Sequence, residues 1–187
     1  MIPPGESYTE KFMAVTRDPN FEKATPEERI RAIFDIRCPN DPRFLSQFCE
    51  NVELKQVTRT GPNSSAVVFT FVVDRYYCNV SGNLHGGAQA TIYDMLTGMS
   101  IQGIGRRDFW MNGGVSRSLS VTYLRPAPEG TLLECDVELM HAGKSLALMR
   151  GVMRRADDGK LISTCEHDKA AVAAKPGFDV PAPDAKL

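Results

Sequence analysis

The sequence predicts an α+β fold in which one curved antiparallel sheet surrounds a single long buried helix. Two observations indicate the sheet. Apolar and polar residues alternate with a period of two in several segments, and the last of these segments follow one another with only short turns between them. A third observation indicates the helix, because the segment after Gly86 and Gly87 is apolar on most of its sides at helical spacing. Such a helix should be buried, which suggests that the sheet curls around it.

The first fifty residues predict helices rather than strands. The segment Thr25–Glu28 is typical of a helix start, since Thr is a good N-cap, Pro suits the first helical position and acidic residues favour the first turn. Pro39 ends this helix, and a second short helix is predicted over residues 44–48. We therefore interpret residues 1–50 as a helical extension that packs its apolar stripe on the main body.

Residues 51–174 carry the period-two segments and form the predicted main domain. Two strands come first, then the buried helix, which Gly103 and Gly105 end, and then four more strands. The strands are predicted from Val52 onward and over residues 67–73, 115–123, 131–140, 145–155 and 161–172. Residues 175–187 are rich in proline and polar side chains, so a flexible tail is predicted there.

Composition and charge exclude several classes of protein. The chain has 187 residues, of which 42% are hydrophobic and 24% charged, and this fits one globular domain with additions. Lys and Arg number 22 against 23 Asp and Glu, which argues against a dedicated nucleic-acid-binding protein. No run approaches the roughly 18 apolar residues that a membrane helix needs. The five cysteines are scattered and odd in number, which favours reduced thiols in an intracellular protein.

The strongest local pattern consists of Asn79, then His85, Gly86 and Gly87, then Asp94. Two glycines where a loop becomes a helix leave backbone N–H groups free at the positive end of the helix dipole, and a ligand can approach them closely. Such a helix start can bind a phosphate or stabilise a developing oxyanion. Tight packing of the loop is an alternative explanation for the two glycines.

Asp94 strengthens the functional interpretation of that pattern. It lies about two helical turns beyond the glycines, so it shares their face of the helix. Its sequence neighbours are apolar, and a carboxylate among apolar residues is costly unless it is paired or performs a task. The alternative is a structural salt bridge to an arginine. The candidates for that salt bridge are Arg106, Arg107 and Arg117.

The order of these residues and of several later segments resembles the hotdog-fold acyl-CoA thioesterases, most closely the PaaI-type branch that includes the thioesterase superfamily member 2 proteins. The matching segments are Asn79, Leu84-His85-Gly86-Gly87, Ala90-Thr91, Asp94, Val115-Ser116, Val121-Thr122-Tyr123, Pro126-Ala127, Gly143-Lys144-Ser145-Leu146-Ala147 and Gly159-Lys160-Leu161-Ile162. The resemblance covers roughly residues 51–174. It implies the hotdog fold, hydrolysis of an acyl-CoA to a carboxylic acid and free CoA, a homodimer or homotetramer, and no metal or redox cofactor.

The resemblance also implies a role for each residue of the pattern, in an active site at a dimer interface. The amide of Gly86 would hold the thioester carbonyl oxygen, with Asn79 and His85 helping to place that carbonyl. Asp94 of the other protomer would act as general base on water or as direct nucleophile, and Ser116 of that protomer would orient the water. The further candidates for contact with the substrate or CoA are Gly87, Lys144 and Ser118.

The weaker candidates also have structural explanations. Lys144 follows a turn, where an exposed lysine is common, and Ser116 belongs to a row of polar residues on a strand. Strand alternation places Cys165 and His167 on one face, as in some metal sites. No second pair of ligands stands at zinc spacing, so no metal site is predicted.

Two other functions remain open at this point. One is a different hotdog enzyme, an enoyl-CoA hydratase or dehydratase, although the helix motif of that group is not found here. The other is a non-catalytic acyl-CoA-binding protein. The last three residues, Ala185-Lys186-Leu187, resemble the peroxisomal address Ser-Lys-Leu. They predict an import receptor as partner and the peroxisome as location, with the cytoplasm or the mitochondrion next.

Overall fold

The structure is a computed structural model that describes residues 7–38 and 48–173. Its strands are β1 (Val52–Gly61), β2 (Ser64–Val72), β3 (Val115–Tyr123), β4 (Leu132–Ala142), β5 (Leu146–Arg155) and β6 (Leu161–Ala170). Its helices are α1 (Tyr8–Arg17), α2 (Pro26–Phe34) and α3 (Gly86–Ser100). The six strands form one antiparallel sheet in the order β1-β2-β4-β5-β6-β3, and α3 packs against it. The predicted architecture of a sheet around one long helix is confirmed.

Helix α3 buries one face against the sheet and keeps the other partly open. Ile92, Tyr93 and Leu96 are at most 2% exposed, in agreement with the apolar pattern of the sequence. The opposite face, which includes Asp94 and Met95, is only half-buried within one protomer. The prediction of a helix surrounded by its own sheet therefore describes one face of α3, and the second face is left for other contacts.

Tyr93 fixes the rotation of α3 about its own axis. Its hydroxyl donates to the carbonyl oxygen of Ser163 at 2.8 Å and accepts from the N–H of Met153 at 2.9 Å, so one side chain joins the helix to β5 and β6. Gly151 provides the space, because a Cβ at that position would lie 2.7 Å from the ring. With Tyr93 held in the core, the next residue, Asp94, has to point away from it.

Strand β3 forms one edge of the sheet, since it pairs with β6 on one side only among the described residues. Val115 and Tyr123, near its two ends, are 48% and 51% exposed. An open edge presents unpaired N–H and C=O groups and is able to pair with a strand of another chain.

Helix α2 of the N-terminal extension packs on the main body. Thr25 is the N-cap of α2 and forms a capping box with Glu28, which confirms the predicted helix start. Ile30 and Phe34 of α2 are buried in the same core as the sheet, and Arg29 donates to the carbonyl oxygen of Gly105 at 2.7 Å. Helix α1, which the sequence analysis did not predict, contacts α2.

Several predictions fall on residues that the structure does not describe. The short helix predicted over residues 44–48 lies outside the described residues except for Phe48, which begins a 3-10 turn. The predicted tail over residues 175–187, with Ala185-Lys186-Leu187, also lies outside them. The five cysteines are all free thiols. In the described ranges, no helix has the length and apolar character to span a bilayer.

Candidate functional site

The carboxylate of Asp94 accepts a hydrogen bond from one strand and lies beside a histidine of a second strand. Ser116 of β3 donates its hydroxyl to Asp94 Oδ1 at 2.6 Å, and His167 Nε2 of β6 lies 3.3 Å from the same oxygen. The Asp94 side chain is 44% exposed, so its other oxygen can be reached from outside the protomer. Its side-chain neighbours in the described part of the chain are a serine and a histidine, and the alternative of an arginine salt bridge is not observed there. Ser116, for which the resemblance implied a role in orienting water, donates directly to Asp94.

His167 also belongs to this site, although its sequence pattern did not predict a place there. The side chain is fully buried, and its Nδ1 lies 2.6 Å from Thr97 Oγ1, one helical turn beyond Asp94. Burial lowers the pKa of His167, and the Lys169 ammonium lowers it further. The lowered pKa favours the neutral imidazole, which packs on the core side of the Asp94 carboxylate without a hydrogen bond to it. Strand alternation had placed His167 on the inner face, but it could not show which helix residue it would meet.

At the start of α3, the backbone donor of Gly86 is left without an acceptor among the described residues. His85 is the N-cap residue, and its Nδ1 accepts the N–H of Gly87 at 2.9 Å. This bond uses the Gly87 donor and leaves the second ring nitrogen, Nε2, to carry the proton of the neutral ring. The N–H of Gly86 has no acceptor among the described residues. Of the two glycine amides, that of Gly86 is thus the one available to a ligand at the positive end of the helix.

Tyr123, at the end of β3, holds this helix start in place. Its hydroxyl donates to the carbonyl oxygen of Gly86 at 2.8 Å. The ring lies so close that a Cβ on Gly86 would be 3.3 Å from Tyr123 Cζ. The glycine therefore allows the ring to cover the helix start, and the hydrogen bond fixes the first peptide of α3.

Asn79 shapes the loop that precedes α3. Its Oδ1 accepts from the N–H groups of Ser81 and Asn83 at 3.0 and 3.2 Å. The oxygen is thereby used within the loop, and the amide NH₂ of this exposed side chain remains as a donor. That is the group that could bind a carbonyl oxygen.

The other predicted contacts lie apart from Asp94. Ser118 donates to Asp168 Oδ2 at 2.8 Å. Asp168 follows His167 on the strand and therefore points to the opposite face of the sheet. Lys144 is exposed in the turn between β4 and β5, and no contact joins it to Asp94 or Gly86 in the described ranges.

One protomer does not bring its two candidate groups to the same point. Gly86 and Asp94 are eight residues apart on α3, a rise of about 12 Å. A carbonyl group that accepts from the Gly86 N–H is attacked at its carbon by an oxygen about 3–3.5 Å away, and a carboxylate that activates this oxygen lies roughly 3 Å beyond it. Within one protomer, Asp94 and Gly86 therefore stand too far apart on α3 to act on the same carbonyl group.

Comparison with known proteins identifies the family. The thioesterase superfamily model matches residues 81–162, which include Asp94, Gly86 and Ser116. A Caenorhabditis elegans protein, named as a candidate esterase, is 31% identical over 136 residues, covering 73% of this chain and 75% of that protein. The chain belongs to the thioesterase superfamily.

Two further similar proteins agree with membership of the thioesterase superfamily. Mouse acyl-coenzyme A thioesterase 13 is 28% identical over 116 residues, covering 62% of this chain and 80% of that protein. The crystal structure of zebrafish thioesterase superfamily member 2 has a TM-score of 0.62 and 27% identity, covering 79% of this chain and 98% of that chain. The hotdog fold and the membership that the sequence predicted are both confirmed, and the superfamily supports thioester hydrolysis as the class of reaction.

The hydrogen bond between Tyr123 and Gly86 predicts that Tyr123 positions the Gly86 amide for catalysis, and a substitution can test this. Tyr123→Phe removes one hydrogen bond to the first peptide of α3, and we expect kcat for thioester hydrolysis to fall about threefold to tenfold with little change in KM. Steady-state kinetics on one acyl-CoA measure this. Tyr76→Phe, at a tyrosine that is 81% exposed, is the control and should leave both constants unchanged. An unaltered kcat for Tyr123→Phe would show that the hydroxyl does not position Gly86.

Proposed function

We propose that the protein hydrolyses acyl-CoA thioesters to a carboxylic acid and free CoA, in sites that two protomers share. The observation that carries this proposal is the pair of half-sites on α3. One is a carboxylate that accepts from Ser116 and lies beside His167, and the other is the N–H of Gly86 at the helix start, which has no acceptor among the described residues. The relative named as an acyl-coenzyme A thioesterase supports the choice of substrate.

The two half-sites supply what thioester hydrolysis requires. The Gly86 N–H and the Asn79 NH₂ donate to the carbonyl oxygen and stabilise the negative charge that develops on it. Asp94 accepts a proton from a water molecule whose oxygen attacks the carbonyl carbon, and Ser116 orients that water. When the tetrahedral intermediate collapses, the C–S bond breaks and CoA leaves as a thiolate, which takes up a proton. Direct attack by Asp94, through an anhydride that water then cleaves, is the other form of this mechanism.

Strand β3 supports the sharing of sites between two copies. Ser116, which binds Asp94, stands near the start of β3, and Tyr123, which binds Gly86, stands at its end. If two β3 edges pair antiparallel around a two-fold axis, the start of one strand lies beside the end of the other. Asp94 of one protomer then approaches the partner's Gly86. The exposed β3 edge is consistent with such a homodimer, or with a tetramer built from two of them.

The experiment that tests the function is an assay of thiol release. Purified protein is incubated with short, long and aromatic acyl-CoAs and with an enoyl-CoA, and free CoA is measured with a thiol reagent. We expect release of CoA from at least one acyl-CoA. Hydration of the enoyl-CoA without thiol release would identify a hydratase, and tight acyl-CoA binding without release would identify a binding protein. Either result would overturn the proposal.

A further inference from the structure

A cavity of about 370 Å³ lies between the N-terminal extension and the partly open face of α3. This volume falls at the lower end of the range for small-molecule sites, about 300–1,000 Å³. The wall from the main domain comes from α3, from residues 112–114 that precede β3 and from Lys169 of β6, and the opposite wall comes from α1, α2 and the residues that follow α2. The extension, which lies outside residues 81–162 of the family match, thus encloses a space that the main domain alone would leave open.

One end of the cavity is charged. Asp94 and Lys169 both line it. Lys169 is only 8% exposed, and it has no hydrogen-bond or ion-pair partner among the described residues. Gly98 leaves room for the ammonium, since a Cβ there would lie 3.7 Å from Lys169 Nζ. Burial lowers the pKa of Lys169, while the nearby Asp94 opposes this change. A largely buried lysine whose ammonium has no acceptor among the described residues indicates that a polar group of a ligand belongs at this end.

Most of the other lining residues are apolar, and many of them belong to the extension, whereas Gln102 and Asn112 are polar. Tyr8 and Phe12 of α1 stack with their ring centroids 6.1 Å apart, and they belong to the same apolar cluster as Ile33 of α2. Met99 of α3 packs against this cluster. The lining runs from Asp94 on α3 to Gln102 in the 3-10 turn that follows the helix, a distance of about 12 Å at the helical rise per residue.

We propose that this cavity binds the acyl group of the substrate and that α1 sets the greatest chain length it accepts. The inference rests on the proposed function, because the thioester group of the substrate is placed at the end of the cavity that Asp94 and Lys169 line. The apolar tail of the acyl chain then runs along α3 toward Phe12 and Tyr8. An acyl-CoA is polar at the thioester and apolar beyond it, which matches the division of the cavity into a charged end and an apolar end.

Substitutions at Phe12 test the assignment, with a series of straight-chain acyl-CoAs. For wild type we expect kcat/KM to rise about threefold to fourfold for each methylene that enters the cavity, and to fall once the chain is too long. Phe12→Ala enlarges the apolar end and should move the optimum to longer chains. Phe12→Trp should move it to shorter ones. Val15→Ala, which shortens an apolar residue of α1 outside the cavity lining, is the control and should keep the wild-type optimum.

Binding of S-alkyl-CoA thioethers, which cannot be hydrolysed, separates this inference from the proposed function. Affinity measured by calorimetry should follow the same dependence on chain length in each variant. If the chain length that binds most tightly changes in the Phe12 variants but no thioester is cleaved, the acyl site is supported and the proposed hydrolysis is wrong. If thioesters are cleaved but the optimum is the same in all four proteins, hydrolysis stands and the role of α1 is wrong.

Discussion

Asp94→Asn is expected to lower kcat for acyl-CoA hydrolysis about a hundredfold to ten-thousandfold. The amide has nearly the same shape as the carboxylate and can still accept the hydroxyl of Ser116, but it cannot take a proton from water. The substitution also removes the negative charge beside His167 while leaving its packing intact. Thiol release under substrate saturation measures the effect, and thermal unfolding shows whether the variant remains folded.

Asp168→Asn is the matched control for this change. It makes the same chemical substitution on the same strand as His167, at a carboxylate that accepts from Ser118 rather than Ser116. We expect its kcat to stay within about twofold of wild type, since surface substitutions of this kind have small effects. Full activity in Asp94→Asn would exclude Asp94 as base and as nucleophile.

Gly86→Pro is expected to lower kcat about a hundredfold to a thousandfold, the usual cost of losing one donor to an oxyanion. Proline has no N–H, and it is well accepted at the first position of a helix, which Gly86 occupies in α3. The preceding residue, His85, has φ −63° and ψ 138°, a conformation that proline permits in its predecessor. The substitution therefore removes the donor with little disturbance of the helix. Single-turnover kinetics measure the loss in the chemical step.

Gly86→Ala is the control, because it introduces the same Cβ beside Tyr123 but keeps the N–H. The ring has to move by a few tenths of an ångström in both variants, since the Cβ would stand 3.3 Å from Tyr123 Cζ. Equal losses of activity in the alanine and proline variants would mean that crowding, and not the missing donor, is the cause. In that case the Gly86 amide has no part in the reaction.

Co-expression of the Gly86→Pro and Asp94→Asn chains tests whether the site is shared. In a mixed dimer, one site combines the intact Gly86 of one chain with the intact Asp94 of the other, and the second site lacks both. Random pairing should restore about a quarter of wild-type activity. Sites contained within single protomers would show no recovery above the separate variants.

The sequence was sufficient to predict the elements of the fold because their periodicity is local. The strands and α3 were predicted within three residues of most of their observed ends. Asp94 and Gly86 were candidates because a carboxylate in an apolar helix and glycines at a helix start are both unusual in sequence, and the resemblance to the hotdog thioesterases implied their roles. These features depend on neighbours a few positions away.

His167 and the cavity could not be predicted in this way. His167 meets Asp94 only because β6 pairs with β3 and lies under α3, a relation between residues more than seventy positions apart. The half-exposed face of α3 is also not visible in the sequence, since apolar residues on all sides of a helix indicate burial but not what covers each side. The N-terminal extension and the open edge at β3 determine what covers each side of α3. Neither of them can be predicted from the apolar pattern of the helix itself.

Strand β3 has a consequence for how the family's sequences can vary. Its two ends bind the two halves of the proposed site, so its length determines how far apart they stand. Inserting two residues would preserve the alternation of faces, yet it would move Ser116 and Tyr123 about 7 Å further apart. Asp94 of one protomer would then no longer reach a carbonyl bound by the partner's Gly86. Leu119 and Val121 pack against the core, so we expect the other residues between Ser116 and Tyr123 to vary in identity while the number of residues stays constant.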